Sequence, residues 1–246
     1  MSAVRSASRA LQIFEAFGAE GRPLLLTEIA PSIDVPLSSC YGLVQTLLER
    51  GYLYAVSRRR GFYPTRKLHT LSTAIVAKDP YLQRLLPHLE RLRDAVSETV
   101  IVGTRQNDQV LYLEVLEGPQ TIRYSASPGD FKPLHSSSIG KALLSLAPDD
   151  GVDTLAAKAL LPAITPNTIT DRDRLKADLK AGRARGYFMT RGENMVDVTA
   201  LAAPMELEGM TVGVAIAGPS YRMEQSMETL ADRLLDTVGT IKAVAS

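Results

Sequence analysis

The sequence holds a single cysteine, Cys40, which excludes an intramolecular disulfide. Its three histidines, His69, His88 and His135, stand too far apart to form a local zinc site, so no structural metal is expected. No apolar run reaches the roughly 18 residues that would span a bilayer. The first ten residues carry Arg5 and Arg9 within a helical pattern and do not lead into an apolar signal core, so a cytoplasmic protein is expected. A dinucleotide fingerprint, a Walker loop, a G-x-S-x-G elbow and an internal repeat are also absent. His135 stands beside Ser136, Ser137 and Ser138, but a serine run next to a histidine is no triad without a converging carboxylate. The expectation is therefore a protein without a cofactor that is not an enzyme.

What is present fits two domains. A length of 246 residues is long for one compact unit, and 45% hydrophobic with 22% charged residues leaves apolar material for a core in each half. The net charge of +1 hides an asymmetry. Residues 1–70 carry nine basic against five acidic side chains, whereas the remainder carries nineteen against twenty-two. A polyanion partner is implied for the first part only.

That first part reads as helices followed by a hairpin. Ala7, Ala10, Leu11, Phe14 and Phe17 share one helical face, with an end expected near Gly18 and Gly21. A short helix is expected over Thr27 to Ala30, closed by Pro31. A third is expected from Pro36, as its first residue, to Gly51. In it Cys40, Leu43, Val44, Leu47 and Leu48 form an apolar face. Ser38, Gly42, Gln45 and Glu49 lie opposite, flanked by Ser39, Tyr41 and Thr46. Short hydrogen-bonding side chains on an outward face suit insertion into a DNA groove, and Gln is a natural partner for adenine. Tyr52 to Val56 and Phe62-Tyr63 read as two strands around a basic turn. Arg58, Arg59 and Arg60 in that turn are placed to straddle a phosphate backbone, a solvated charge run being the alternative.

The second part alternates strands and helices. Leu68, Leu71, Ile75 and Val76 predict a helix leaving the hairpin, broken at Asp79-Pro80, and Leu82 to Val96 a second one. Strands are expected at Thr99 to Gln106, Gln109 to Leu116, Thr121 to Ala126, Tyr187 to Thr190, Val198 to Ala203 and Thr211 to Ala217. Helices are expected over Ser138 to Leu146, within Gly151 to Leu160, after a capping box opened by Thr170, and through Met227 to Ile241. Antiparallel strands flanked by helices make this an α+β domain.

The stretch SASRALQIFEAFGAEGRPLLLTEIAPSIDVPLSSCYGLVQTLLERGYL resembles the opening of the IclR (isocitrate lyase regulator) family. PLHSSSIGKALL (Pro133 to Leu144), GYFMTRGENMVDVTALAAP (Gly186 to Pro204) and VAIAGP (Val214 to Pro219) look like its effector-binding domain, so the resemblance covers nearly the whole chain. It implies a winged helix-turn-helix over 1–66, a linker helix over 67–79 and a GAF-like α/β effector-binding domain with an antiparallel sheet over 80–246. It further implies a homodimer or homotetramer that binds double-stranded operator DNA and a small organic acid. Arg5, Arg9, Ser38, Ser39, Tyr41, Gln45, Thr46, Arg58, Arg59 and Arg60 are then the DNA-binding candidates. Tyr124, Ser138, Ile139, Thr190, Glu193, Asn194, Ala200, Ala215 and Ala217 are the effector-binding ones. Leu37 stands where the family usually has a basic residue, Gly42 where it often has arginine, and the three alanines where it can have Cys or Ser. Two readings from other classes are an enzyme acting on a small acid, with an oligomerising first domain, and a DNA-binding scaffold without an effector.

Overall fold

The computed structural model describes residues 4–57, 61–146, 151–158, 160–207 and 209–245. The chain divides into two units, Met1–Asp79 and Pro80–Ser246.

In the first unit α1 (Arg5–Glu20), α2 (Leu26–Ser32) and α3 (Leu37–Glu49) precede a hairpin, β1 (Leu53–Ser57) with β2 (Gly61–Pro64), and α4 (Lys67–Val76) follows. The apolar spacing does what a 3.6-residue period requires. Ile13 and Phe17 of α1, Ile29 of α2, and Cys40, Val44 and Leu47 of α3 close on one core with Leu24 and Leu53. The hairpin is antiparallel, Tyr54 facing Tyr63, and Phe62 also bridges back to Leu24. This is a winged helix-turn-helix. Two local readings are corrected. Pro31 lies inside α2, because a proline near a helix end removes only its own amide, and Ile33 and Val35 still donate to Ile29 and Ala30. Pro36 is the N-cap of α3, with extended ψ of 148°, and is not its first helical residue.

The second unit is a six-stranded antiparallel sheet in the order β5-β4-β3-β8-β7-β6. Its strands are β3 (Thr99–Gln106), β4 (Gln109–Leu116), β5 (Phe131–Pro133), β6 (Phe188–Arg191), β7 (Val198–Leu207) and β8 (Met210–Pro219). One face packs on α5 (Leu82–Val96) and α10 (Met227–Ala245), the other on α6 (Ser138–Leu144), α7 (Gly151–Ala157) and α8 (Arg172–Arg185). Strand alternation decides which face receives which helix. Val212, Val214 and Ile216 of β8 meet Leu85, Leu89, Leu234 and Val238. The intervening Gly213, Ala215 and Ala217 face α6, beside Ala200 and Ala202 of β7 in register. The small face lets α6 lie close: a Cβ on Gly213 would come within 2.8 Å of Ile139, and one on Gly140 within 2.2 Å of the Leu134 carbonyl.

Three expectations for this unit fail. Residues 121–126 form no strand; the outer strand is β5, which pairs with Gln109 to Leu111. The 121–126 segment is tied instead by Thr99 Oγ1, which donates to the Tyr124 carbonyl at 2.5 Å. The N-cap of α8 is Asp171, not Thr170, its carboxylate accepting from the Arg174 amide at 2.8 Å. A short helix, α9 (Ser220–Gln225), stands where none was expected.

Candidate functional site

Two surfaces gather the candidate residues, one in each unit. On α3, burial of Cys40, Val44 and Leu47 turns Ser38, Ser39, Tyr41, Gly42 and Thr46 outward, with Gln45 half-buried. No side chain caps the helix start, so its first amides stay available to an external acceptor. Thr46 Oγ1 donates to the Gly42 carbonyl at 2.9 Å. Arg5 is exposed and Arg9 half-buried in the first turns of α1. Arg58, Arg59 and Arg60 lie outside the described residues. At the far end of α3, Lys67 Nζ donates to the Arg50 carbonyl at 2.6 Å and sits over the Tyr52 ring, bracing the helix against the hairpin. Arg22 is occupied by Glu20 and Glu28, and Glu28 also accepts the Leu25 amide, which together with Arg22 holds its carboxyl below the usual range.

In the second unit the small face of the sheet lines a partly open cavity. Its floor is Ile101, Ala200, Ala215 and Ala217; Ser136, Ser137 and Ser138 form one wall, Tyr112 and Tyr124 another, and Thr190, Asn194, Met195 and Val198 complete it. Ser137 caps α6 by accepting from the Gly140 amide and donates to the Pro133 carbonyl. Asn194 donates to Ser136 at 3.1 Å, tying the β6–β7 loop to that wall. Burial, then the neighbouring Tyr124, pushes the Tyr112 hydroxyl far up, so it stays a neutral donor and acceptor. The lining thus combines an apolar floor with uncharged hydroxyls and one amide, suited to a small ligand with an apolar body and polar ends.

Of the nine candidates for this site, Tyr124, Ser138, Thr190, Asn194, Ala200, Ala215 and Ala217 line the cavity, and Ile139 and Glu193 do not. Ile139 is core, pressed on Gly213. Glu193 faces the other way and binds Lys141 Nζ at 2.6 Å; the same ammonium meets Asp178 at 2.7 Å and the Met189 carbonyl at 3.4 Å. Lys141 is fully buried, and burial raises the Glu193 carboxyl while Lys141 pulls it back. His135 Nε2 lies 3.0 Å from the Pro162 carbonyl, not on a serine hydroxyl, and burial keeps the ring neutral by lowering its pKa. Sequence reasoning missed Ile101, Tyr112, Ser136, Ser137, Met195 and Val198. The alternation that points Ile101 and Gly103 to the small face, with Gly103 opposite Tyr112, was the available signal for the first two. Among the described residues no group of His, Cys, Asp and Glu is placed to hold a metal, and no helix is long and apolar enough to cross a membrane.

Comparison with known proteins covers both units. Residues 6–57 match the IclR helix-turn-helix domain and residues 73–243 match the bacterial transcriptional regulator IclR C-terminal domain. The chain is 32% identical over 238 residues to the HTH-type transcriptional regulator BhcR of Paracoccus denitrificans, covering 95% of this chain and 84% of that one. It is 25% identical over 219 residues to the HTH-type transcriptional repressor AllR of Escherichia coli K12, covering 88% and 81%. Among solved structures, a transcriptional regulator from Rhodococcus sp. RHA1 superposes with a TM-score of 0.81 at 26% identity, covering 99% of this chain and 98% of that one. An IclR homolog from Microbacterium hydrocarbonoxydans, solved with 4-hydroxybenzoate, gives a TM-score of 0.77 at 23% identity, covering 97% and 98%.

Proposed function

The chain belongs to the IclR family of bacterial transcriptional regulators, and from that premise we propose that a small organic acid bound in the cavity of residues 80–246 controls operator binding by the winged helix of residues 1–66, through the linker helix of residues 67–79. The observation that carries this reading is the lining itself. An alanine floor beneath Tyr112, Tyr124, Ser138 and Thr190 sets small apolar side chains against a short carbon skeleton and offers hydroxyl donors to its oxygens. The 4-hydroxybenzoate held by the Microbacterium relative has that chemistry, a compact apolar body with oxygen at both ends. On the DNA side, Ser38, Ser39, Tyr41, Gln45 and Thr46 meet the base edges, and Arg5, Arg9, Arg58, Arg59 and Arg60 the phosphates. Two copies of the chain would present two such helices to the half-sites of a pseudo-palindrome. The ligand shifts the population of DNA-competent arrangements, a coupling of about 1–3 kcal/mol in such systems, or roughly 5- to 150-fold in affinity.

A thermal-shift titration of the full chain against 4-hydroxybenzoate and short aliphatic carboxylates tests the cavity, since a ligand selective for the folded state stabilises it in proportion to ln(1 + [L]/Kd). A stabilising acid whose effect is lost in Ala200→Phe, which fills the floor, supports the reading. A panel without effect, or a shift that survives in Ala200→Phe, refutes it.

A further inference from the structure

Between Leu37 and Leu48 the outward helix α3 carries no Lys, Arg, His, Asn, Asp or Glu; its first charged residue is Glu49, the last of the helix. Guanine is read most often by a bidentate Arg or Lys, and cytosine by a carboxylate. Across Leu37 to Leu48 neither kind of reader is present, and the one carboxylate, Glu49, stands at the far end of the helix. What α3 shows to solvent is an amide, hydroxyls and apolar surface: Leu37 is 48% and Tyr41 54% exposed, unusual exposures for large side chains on a helix that buries its other face. Thr46 turns its hydroxyl back onto the Gly42 carbonyl, which leaves its methyl as the outward chemistry.

Gly42 is the second observation. It lies in the middle of a 13-residue helix with ordinary helical backbone, and a Cβ built on it meets nothing within 4 Å. The fold thus has no steric need for glycine there, although glycine weakens a helix interior relative to alanine. Its neighbours three and four residues away are Ser38, Ser39, Gln45 and Thr46, all short or slender, so the bare backbone is the floor of a shallow notch at the centre of the outward face.

We propose that this notch seats the C5-methyl group of a thymine against the Gly42 backbone, while Gln45 pairs with the N6 and N7 edge of an adenine, so that α3 reads a half-site whose centre is A·T base pairs. Thymine is the base that presents a methyl group in the major groove, and apolar side chains are its readers. Leu37, Tyr41 and the Thr46 methyl extend the apolar surround. This inference rests on the DNA-binding role of α3 and adds the sequence class that α3 selects.

The test begins with selection of bound sequences by the full-length protein from a random DNA library. Fluorescence anisotropy then compares the best site with copies in which single thymines are replaced by uracil, which removes only the methyl. The expected half-site centres on A·T pairs, and one uracil substitution weakens binding about fourfold, the effect of exposing one buried methyl-sized group. Gly42→Ala raises the melting temperature, weakens binding to the selected site and abolishes the thymine-to-uracil difference. Gly239→Ala, on α10, also adds a Cβ that meets nothing and serves as the control: it leaves the DNA affinity and the uracil effect unchanged. G·C pairs at the half-site centre, equal affinity for thymine and uracil, or undiminished binding by Gly42→Ala would each overturn the proposal while leaving α3 a DNA-binding helix. Failure of the wild-type chain to bind any DNA would overturn both.

Discussion

Lys141 offers a sharp energetic test, because its ammonium is wholly buried between two carboxylates from different elements. Lys141→Met keeps the volume and removes the charge. Glu193, 6% exposed, is then left ionised with its principal counter-charge gone. Breaking one side of a buried pair typically destabilises by about 3–5 kcal/mol. Asp178 is more exposed and falls back on solvent, so the loss is dominated by Glu193. In a domain of this size each kcal/mol moves the transition by roughly 2–4 °C, which gives a fall of about 6–20 °C. Replacing both partners, Lys141→Met with Glu193→Leu, recovers most of the loss, since a buried pair exchanged whole for apolar groups is close to neutral. The pH dependence has a definite sign. Burial raises the Glu193 pKa above its ordinary 4.5, with Lys141 opposing. An acid raised in this way adds stability below its unfolded value, and that contribution is lost as pH rises through the folded value. Without Lys141 the folded pKa climbs further, so the deficit of Lys141→Met is large at pH 8 and shrinks toward pH 5. Scanning calorimetry at the two pH values reads this directly. A loss below about 1 kcal/mol, as for an exposed pair, or a double variant no more stable than Lys141→Met, would refute the reasoning.

Two further outcomes follow from neighbouring groups. The His135 pKa is held below 6.5, first by burial and then by Lys141, against the Pro162 carbonyl, so its stabilising contribution is complete above pH 6.5 and disappears as pH falls through the lower folded value; His135→Gln should flatten the acid limb of a stability-against-pH curve, and an unchanged limb would count against it. Arg222 makes a bidentate pair with the buried Glu98 at 2.6 and 3.0 Å and donates to the Ile122 carbonyl, so it fixes the segment that carries Tyr124; Arg222→Ala should lower stability by about 2 kcal/mol and weaken carboxylate binding in the thermal-shift titration, and Arg222→Lys, which keeps charge but loses the fork, should fall between.

Periodicity made much of this legible. Cys40, Val44 and Leu47 mark the buried side of α3 at helical spacing, and so mark its outward side. In β8 the alternation of Val212, Val214 and Ile216 with Gly213, Ala215 and Ala217 separates the large-residue face under α5 and α10 from the small-residue face that admits α6 and lines the cavity. The family resemblance supplied most of the cavity positions, because Ser138, Thr190, Ala200, Ala215 and Ala217 fall in the segments that resemble the family's effector-binding domain and could be matched one by one. What escaped depends on long-range partners. Ile122, Arg123 and Tyr124 have strand-forming side chains, yet Ile122 is 67% exposed and Arg123 pairs with Glu117, so the segment runs beside the sheet without joining its ladder. Glu193 reads locally as a loop acid, and nothing within a few residues announces that its counter-charge lies 52 positions earlier. Thr170 and Asp171 are both good caps, and only the hydrogen bond to Arg174 distinguishes them.

The central claim is that one chain both binds DNA and hears a small acid in its cavity. Anisotropy of a labelled operator fragment, titrated with wild-type protein and with Ala200→Phe, each with and without a carboxylate that stabilises the wild type, tests it most directly. The account predicts a ligand-dependent change in wild-type affinity of at least fivefold, and none in Ala200→Phe. An operator affinity that ignores the ligand, or one that changes equally in both proteins, would contradict it.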